Sequence, residues 1–198
     1  MTAAESWWRA WLDIQHNRVM LYYRTNQIQK MAHISEEMRP IVEIYGTPLD
    51  TSDFYGVLVQ LGIRQERSIL SDETVANAQK AYEAIAGSDY LLSVAFARFM
   101  LAFAHLVHGW YGDLDEAESH LLAVLKMAEE MGIILLCARS LNLLALLYRR
   151  RGDHRRVSTL LPQVIAAARE SNLQEYMATA EANLAWLKWL EGDLAATK

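Results

Sequence analysis

A single cysteine, Cys137, stands in 198 residues. One thiol cannot close an internal disulfide or build a cysteine-based zinc cage. Its apolar surroundings, "IILLCARSL", make it a small core hydrophobe rather than a reactive nucleophile. A reducing, cytoplasmic setting is therefore expected. Prolines number three and glycines nine, so long regular elements should dominate. The glycines nowhere assemble a phosphate-cradling loop ending in Lys-Ser/Thr, and no Gly-x-Ser-x-Gly nucleophile elbow occurs. The opening "MTAAESWWRAW" has neither the basic nor the apolar region of a signal peptide. A positive surplus is missing as well. The net charge of −5 gives no electrostatic reason to expect nucleic acid or an anionic membrane as partner.

What the chain does have is apolar mass. Hydrophobic residues make up 53%, and a chain of this length buries roughly 70% of its unfolded surface. The longest apolar run, "YLLSVAFARFMLAFAHLVHGW" from Tyr90 to Trp110, is long enough to span a bilayer. Arg98 lies near its middle, however, where a charge costs about 2.5–3.5 kcal/mol, and His105 and His108 add to that. A helix buried between other helices fits this composition better than a membrane span.

Apolar residues recur at helical spacing almost throughout, and no alternating strand pattern appears. Stop and start signals place helices from Glu5 to Arg24, Gln27 to Tyr45, and Thr47 to Arg67. Pro40 inside the second predicts a kink or an early break. Thr47 is the N-cap of the third, with Pro48 in its first turn. Ser71 caps a fourth that runs to Gly87, and a fifth runs from Ser88 to Gly109. Four more run from Leu114 to Met131, Ile133 to Arg151, Asp153 to Ser171, and Leu173 to Glu191. A stub, "DLAATK", follows. Short connections between helices make sequential neighbours antiparallel.

The pair Gly-Asp recurs at Gly112-Asp113, Gly152-Asp153 and Gly192-Asp193, at equal intervals of about forty residues. Glycine admits the left-handed conformation that ends one helix. The aspartate caps the next and suits its positive end. The flanks also match. Ala104, Ala145 and Ala185 supply a small residue in each helix before the turn. After the first turn Leu114, Ala117, Leu121 and Leu125 share one face. On this reading Asp113, Asp115, Glu116 and Glu118 are cap, dipole complement and solvent face rather than catalytic acids.

These residues, and "GDLDEAESHLLAVLKMAEEMG" in particular, resemble tetratricopeptide repeats, with a period longer than the usual 34 or so. The long form is similar to the C-terminal arrays of large bacterial signalling ATPases. These include maltose-activator-like regulators and multidomain ATPases linked to a cyclase or kinase domain. "WWRAWLDIQHNRVMLYYRTNQIQKM" and "NLAWLKWLEGDLA" look most like the latter group. The resemblance implies an all-α solenoid of antiparallel helix hairpins in one repeat domain. Approximate units are 5–46, 47–87, 88–132, 133–172 and 173–198, the last incomplete. It also implies a protein-interaction or assembly module of a signalling or transcriptional regulator, with no enzymatic activity and no cofactor. The alternatives are a small-molecule effector sensor and, further off, a helical enzyme.

Tetratricopeptide arrays bind on a concave face lined by the first helix of each hairpin. Carried over position by position, the resemblance places Leu101, His105 and His108 on that face. Asn142, Leu146 and Arg149 follow, and then Ala182, Trp186 and Trp189. Arg98, Arg139 and Thr179 stand six residues before the small residue of each helix. Such a groove, with cations, histidines and aromatics, suits a protein or peptide partner carrying acidic and apolar side chains. His105 and His108 lie one turn apart, but no cysteine or carboxylate joins them in sequence, so no metal is expected. Glu116 and His120 read as a surface pair. The arginine-rich "YRRRGDHRRV" reads as a solvated turn. Trp7, Trp8 and Trp11 at one end, and Leu190, Leu194 and Ala195 at the other, are apolar surfaces on which self-association, or contact with a neighbouring domain of a longer chain, is expected.

Overall fold

The structure is a computed structural model that describes residues 3–67, 69–109 and 111–192. The stub, including Asp193, Leu194 and Ala195, lies outside the described residues. Nine helices account for almost all of the rest: α1 (Ala3–Arg24), α2 (Ile28–Tyr45), α3 (Pro48–Glu66), α4 (Asp72–Ile85), α5 (Leu91–Val107), α6 (Leu114–Met131), α7 (Ile134–Arg150), α8 (His154–Glu170) and α9 (Gln174–Leu190). The fold is all-α, as the periodicity predicts, with no β-strand among the described residues. None of these helices is long and apolar enough to cross a membrane.

Capping explains where several helices start. Thr47 accepts from the Asp50 amide at 3.2 Å, and Asp50 in turn accepts from the Thr47 amide at 2.8 Å, so two orphan donors satisfy each other. Ser71 caps α4 through the Thr74 amide. Behind that cap, Glu66 accepts from Ser71 and from the Thr74 hydroxyl. Gly62 is a glycine because Thr74 leaves no room: a Cβ there would stand 2.3 Å from Thr74 Oγ1.

The break expected at Pro40 does not occur, and α2 runs unbroken through it. A proline deprives the carbonyl four residues back of its donor. That carbonyl belongs to Glu36, which, like Pro40, faces solvent, so water can take the place of the missing donor. Pro162 in α8 follows the same rule, with Ser158 as the exposed residue four positions earlier.

The chain divides into two compact units, one ending at Asp113 and holding α1–α5, the other beginning at Leu114 and holding α6–α9. In the first, Val19, Met31, Ile34, Met38, Phe54 and Val57 build one buried cluster. Val59, Leu70, Ala78, Leu101 and Ala104 build another. In the second unit, α6 buries Ala117, Leu121, Val124 and Ala128, and α8 buries Val157, Leu161, Val164 and Ala168. Each residue of the second set stands one repeat period after its counterpart. Between them α7 is buried on most sides. Ala104 and Ala145 are fully buried, as close helix approach requires, whereas Ala185 is only half-buried.

Sequential helices pack side by side within each unit. Odd-numbered helices also pack next-but-one: α1 on α3, α3 on α5, and α7 on α9. The even-numbered helices α2 and α4, and α6 and α8, make no such contact. The odd helices therefore form the inner layer of each unit and the even helices the splayed outer layer, which is the arrangement of helix-hairpin repeats.

The turns reveal a finer period than the Gly-Asp echo. In the second unit a left-handed residue ends each helix: Gly132 (φ 68°), Gly152 (φ 70°), Asn172 (φ 54°) and Gly192 (φ 81°). After the first three, the next amide closes the same bond onto the helix just ended. Ile133 N donates to Ala128 O, Asp153 N to Tyr148 O, and Leu173 N to Ala168 O, each at 2.9 Å. Every helix and turn of this unit thus takes about twenty residues, and Asn172 holds a glycine's place because its short polar side chain tolerates the left-handed region. Asp153 caps α8 through the Arg156 amide, as expected.

Gly112 ends the first unit differently. Helix α5 stops at Val107, and the segment after it pairs with Leu70, which donates to Val107 O while Gly109 N donates to Leu70 O. Gly112 N then reaches His108 O and Asp113 N reaches His105 O, both at 2.8 Å. A Cβ on Gly112 would lie 2.5 Å from Leu106 O, whereas Gly152 has open space around it. Identical dipeptides therefore serve two different turns.

Candidate functional site

Two places on the inner helices gather candidate functional side chains, one in each unit. In the second unit, α7 and α9 present Leu146, Arg149, Trp186 and Trp189. Arg149 is exposed, and its guanidinium lies 5.3 Å from the centre of the Trp186 ring. The same group donates to Asn183 Oδ1 at 3.2 Å. Asn183 is nearly fully buried, so it anchors the arginine in a fixed direction. Trp186 is half-buried and Trp189 is 58% exposed. Nearer the start of the two helices, burial pushes the Tyr176 hydroxyl up while the charge of Arg139 pulls it down. Asn142 Oδ1 is buried with no hydrogen-bond partner, an unsatisfied acceptor on the helix that bears Arg139 and Arg149.

The site residues read from the sequence fall in both units. Arg139, Asn142, Arg149, Trp186 and Trp189 belong to the second unit. In the first unit, Arg98 lies 5.6 Å from the Tyr82 ring centre. His108 is tied by its Nε2 to Asp72 Oδ1 at 2.6 Å, at the start of α4. His105 is half-buried. Leu101 is wholly buried in the core and lines no open face. No group of three metal-ligating side chains exists among the described residues.

Three readings need correction. Glu118 is not a solvent-facing acid, for its side chain is only 17% exposed. It accepts from Tyr148 Oη at 2.8 Å and from Arg156 Nη1 at 2.7 Å, and Arg151 bridges it to Asp115. Burial pushes its carboxyl up, but the Tyr148 hydroxyl and the two guanidiniums outweigh that and hold it below its ordinary value. The arginine-rich turn is accordingly not solvated throughout, since Arg151 and Arg156 are docked on α6 of their own unit. Cys137 is half-buried rather than core, and burial, with the charges of Glu129 and Glu170, pushes its thiol up and away from the reactive thiolate. At the other end of the chain Trp8, not Trp7, is the packed ring: it stands edge-on to Trp7 and Trp11 and stacks on Tyr45 at 5.7 Å.

The second place is a cleft of about 350 Å³ on the inner helices of the first unit. Helix α1 contributes His16 and Met20, α3 contributes Ser52, Asp53, Gly56 and Gln60, and α5 contributes Phe96, Ala97 and Met100. The walls are mostly apolar. Phe96 and Leu92 keep 39% and 54% of their surface exposed along it. Its polar groups are unusual: His16 Nδ1 and Gln60 Oε1 are buried with no hydrogen-bond partner in the protein. Asp53 stays open to solvent, yet the surrounding walls raise its carboxyl, the His16 imidazole opposing and Asp50 and Asp13 reinforcing the rise. The sequence reading passed over these residues. The available signal was Asp53-Gly56-Gln60, one helical face with a glycine at its centre.

Comparison with known proteins supports the fold. No family model matches the chain, and no curated protein matches it. Among solved structures it is similar to a signal transduction ATPase with numerous domains carrying a tetratricopeptide repeat sensor, from Pyrococcus horikoshii. The match has a TM-score of 0.55 and 17% identity over 94% of this chain. This chain spans 34% of that protein. The architecture is thus that of a tetratricopeptide-like helical repeat array, in agreement with the resemblance carried by the Gly-Asp repeats.

Proposed function

We propose that the chain is a non-enzymatic interaction module of a signalling regulator, and that its partner-binding face is the α7/α9 surface of the second unit. The observation that carries this is Arg149, oriented by Asn183 and held over Trp186, beside an exposed Trp189. Aromatic side chains and arginine are the residue types that concentrate binding energy at interfaces. Here the arginine is pre-oriented, so little of its freedom remains to be lost on binding. Its free donors and Leu146, one turn before it on α7 and 37% exposed, suit a peptide with a carboxylate next to an apolar side chain. The solved relative's sensor is a tetratricopeptide repeat region within a larger signalling ATPase, which supports a regulatory setting.

The test is selection of peptides from a displayed library against the chain, followed by affinity measurement on variants. Selected peptides should carry Asp or Glu beside an apolar residue, and Arg149→Ala or Trp186→Ala should weaken them about tenfold or more. Undiminished binding to both variants would place the face elsewhere. A second reading, effector sensing, is favoured by the cleft of the first unit.

A further inference from the structure

We infer that the α1/α3/α5 cleft is a binding site for a small amphipathic amine, a single ammonium group on an aromatic or aliphatic body. The inference deepens the effector-sensing reading and is independent of the α7/α9 partner face. Size comes first. About 350 Å³ lies within the range of small-molecule sites, which are mostly apolar with a few fixed polar groups. The cleft has that composition. Met20, Phe96, Ala97 and Met100 supply the apolar wall, and among the polar side chains that interrupt it His16, Asp53 and Gln60 bear on the ligand's chemistry, beside the hydroxyls of Ser52 and Ser93.

The polar groups then select the ligand's chemistry. Gln60 Oε1 can only accept, and so can the ionised Asp53 carboxylate. His16 Nδ1 accepts in the neutral tautomer that carries its proton on Nε2. With His16 in that tautomer, all three ask for donors. Two of them are buried without a partner, and an unmet buried acceptor is costly. A ligand bearing several N–H groups at one point satisfies them together, and a primary ammonium carries three.

Charge points the same way. His16 is the one basic residue lining the cleft. Asp13, Asp50 and Asp53 gather in the adjoining hollow beside it. Asp50 is already committed to capping α3, which leaves Asp53 as the charge facing the cleft. The raised Asp53 carboxyl fits a site lacking its counter-charge, since a cation bound there would favour the ionised form. Anions are disfavoured by the same carboxylates. Gly56 completes the site: it sits within a helix, where glycine is unfavourable, yet a Cβ there would touch nothing within 4 Å. No packing demands the glycine, and its side of the cleft is open space.

The test is calorimetric titration of the full chain with phenethylamine, hexylamine and tryptamine, beside the neutral isostere 2-phenylethanol and the anion 3-phenylpropionate. At least one amine should bind saturably and one-to-one, with both isosteres weaker by about tenfold or more. Asp53→Asn should weaken the amine by a similar factor. Gly56→Met should abolish binding by filling the cleft while leaving thermal stability unchanged or raised, because it removes a helix glycine. Affinity of the selected peptides for the α7/α9 face should not change in either variant, which separates failure of this site from failure of that one. No saturable binding by any of the amines would overturn the inference. So would equal binding of the neutral isostere, or amine binding that survives both substitutions. Binding only of lysine-containing peptides, with free amines inert, would overturn it in favour of a protein ligand.

Discussion

Replacing Gly112 with alanine should destabilise the protein more than replacing Gly152, although both glycines precede an aspartate in the same repeat position. Both have φ of 70°, so both variants incur the left-handed penalty of about 1–2 kcal/mol. Both also gain equally from a stiffer unfolded chain, which cancels in the comparison. The difference lies in space. At Gly152 the new methyl meets nothing within 4 Å, while at Gly112 it meets Leu106 O at 2.5 Å and His105 O at 3.0 Å. Those are backbone atoms and cannot swing aside as a side chain would. The turn must open, straining the bonds from Gly112 N to His108 O and from Asp113 N to His105 O, each worth about 0.5–1.5 kcal/mol. G152A should therefore cost about 1–2 kcal/mol, and G112A about 1–3 kcal/mol more. Urea unfolding followed by far-UV circular dichroism measures both. Equal costs would refute the claim that the two turns differ.

Other expectations follow from single contacts. Gly62→Ala should cost about 1–3 kcal/mol by overpacking against Thr74, and less in a Thr74→Ala background, since the nearest atom is the Thr74 hydroxyl; a double-mutant cycle in urea reads the coupling. Pro40→Ala should stabilise the chain by about 1–3 kcal/mol, because α2 already has helical geometry there and the Glu36 carbonyl would regain a donor; a lower melting temperature would contradict this. Glu118 has a depressed carboxyl in the folded state, so its contribution is present above its unfolded pKa, near the ordinary glutamate value of 4.5, and is lost as pH falls through the folded one. Glu118→Gln should accordingly be less stable than the parent at neutral pH, with the gap closing in acid; a gap that persists in acid would show that the carboxylate charge is not responsible.

The helices were legible because their signals are local. Caps such as Thr47 and Ser71, the glycine stops, and apolar residues three and four apart all act within a turn or two of chain. The odd-on-odd layering could be anticipated from the repeat resemblance alone. What stayed hidden was every feature that joins distant residues. Glu118 looks like any solvent-face acid until Tyr148 of α7, Arg151 of the turn and Arg156 of α8 close over it. The cleft joins His16, Asp53, Gln60 and Phe96 from three helices, and no periodicity within one helix announces it. Pro40 misled for a related reason: whether a helix tolerates proline depends on the side it falls on, and here both Glu36 and Pro40 lie on the exposed side of α2. The twenty-residue spacing of the second unit was obscured because Asn172 does a glycine's work.

The partner face rests on Arg149, Trp186 and Trp189, and tryptophan offers a direct readout of it. The chain has six tryptophans, each with one indole N–H resonance in a spectrum of nitrogen-labelled protein. Titration with the tightest selected peptide should move the Trp186 and Trp189 indole resonances and leave those of Trp7, Trp8 and Trp11 in place. Shifts confined to the Trp7–Trp11 cluster, with Trp186 and Trp189 unmoved, would contradict the account.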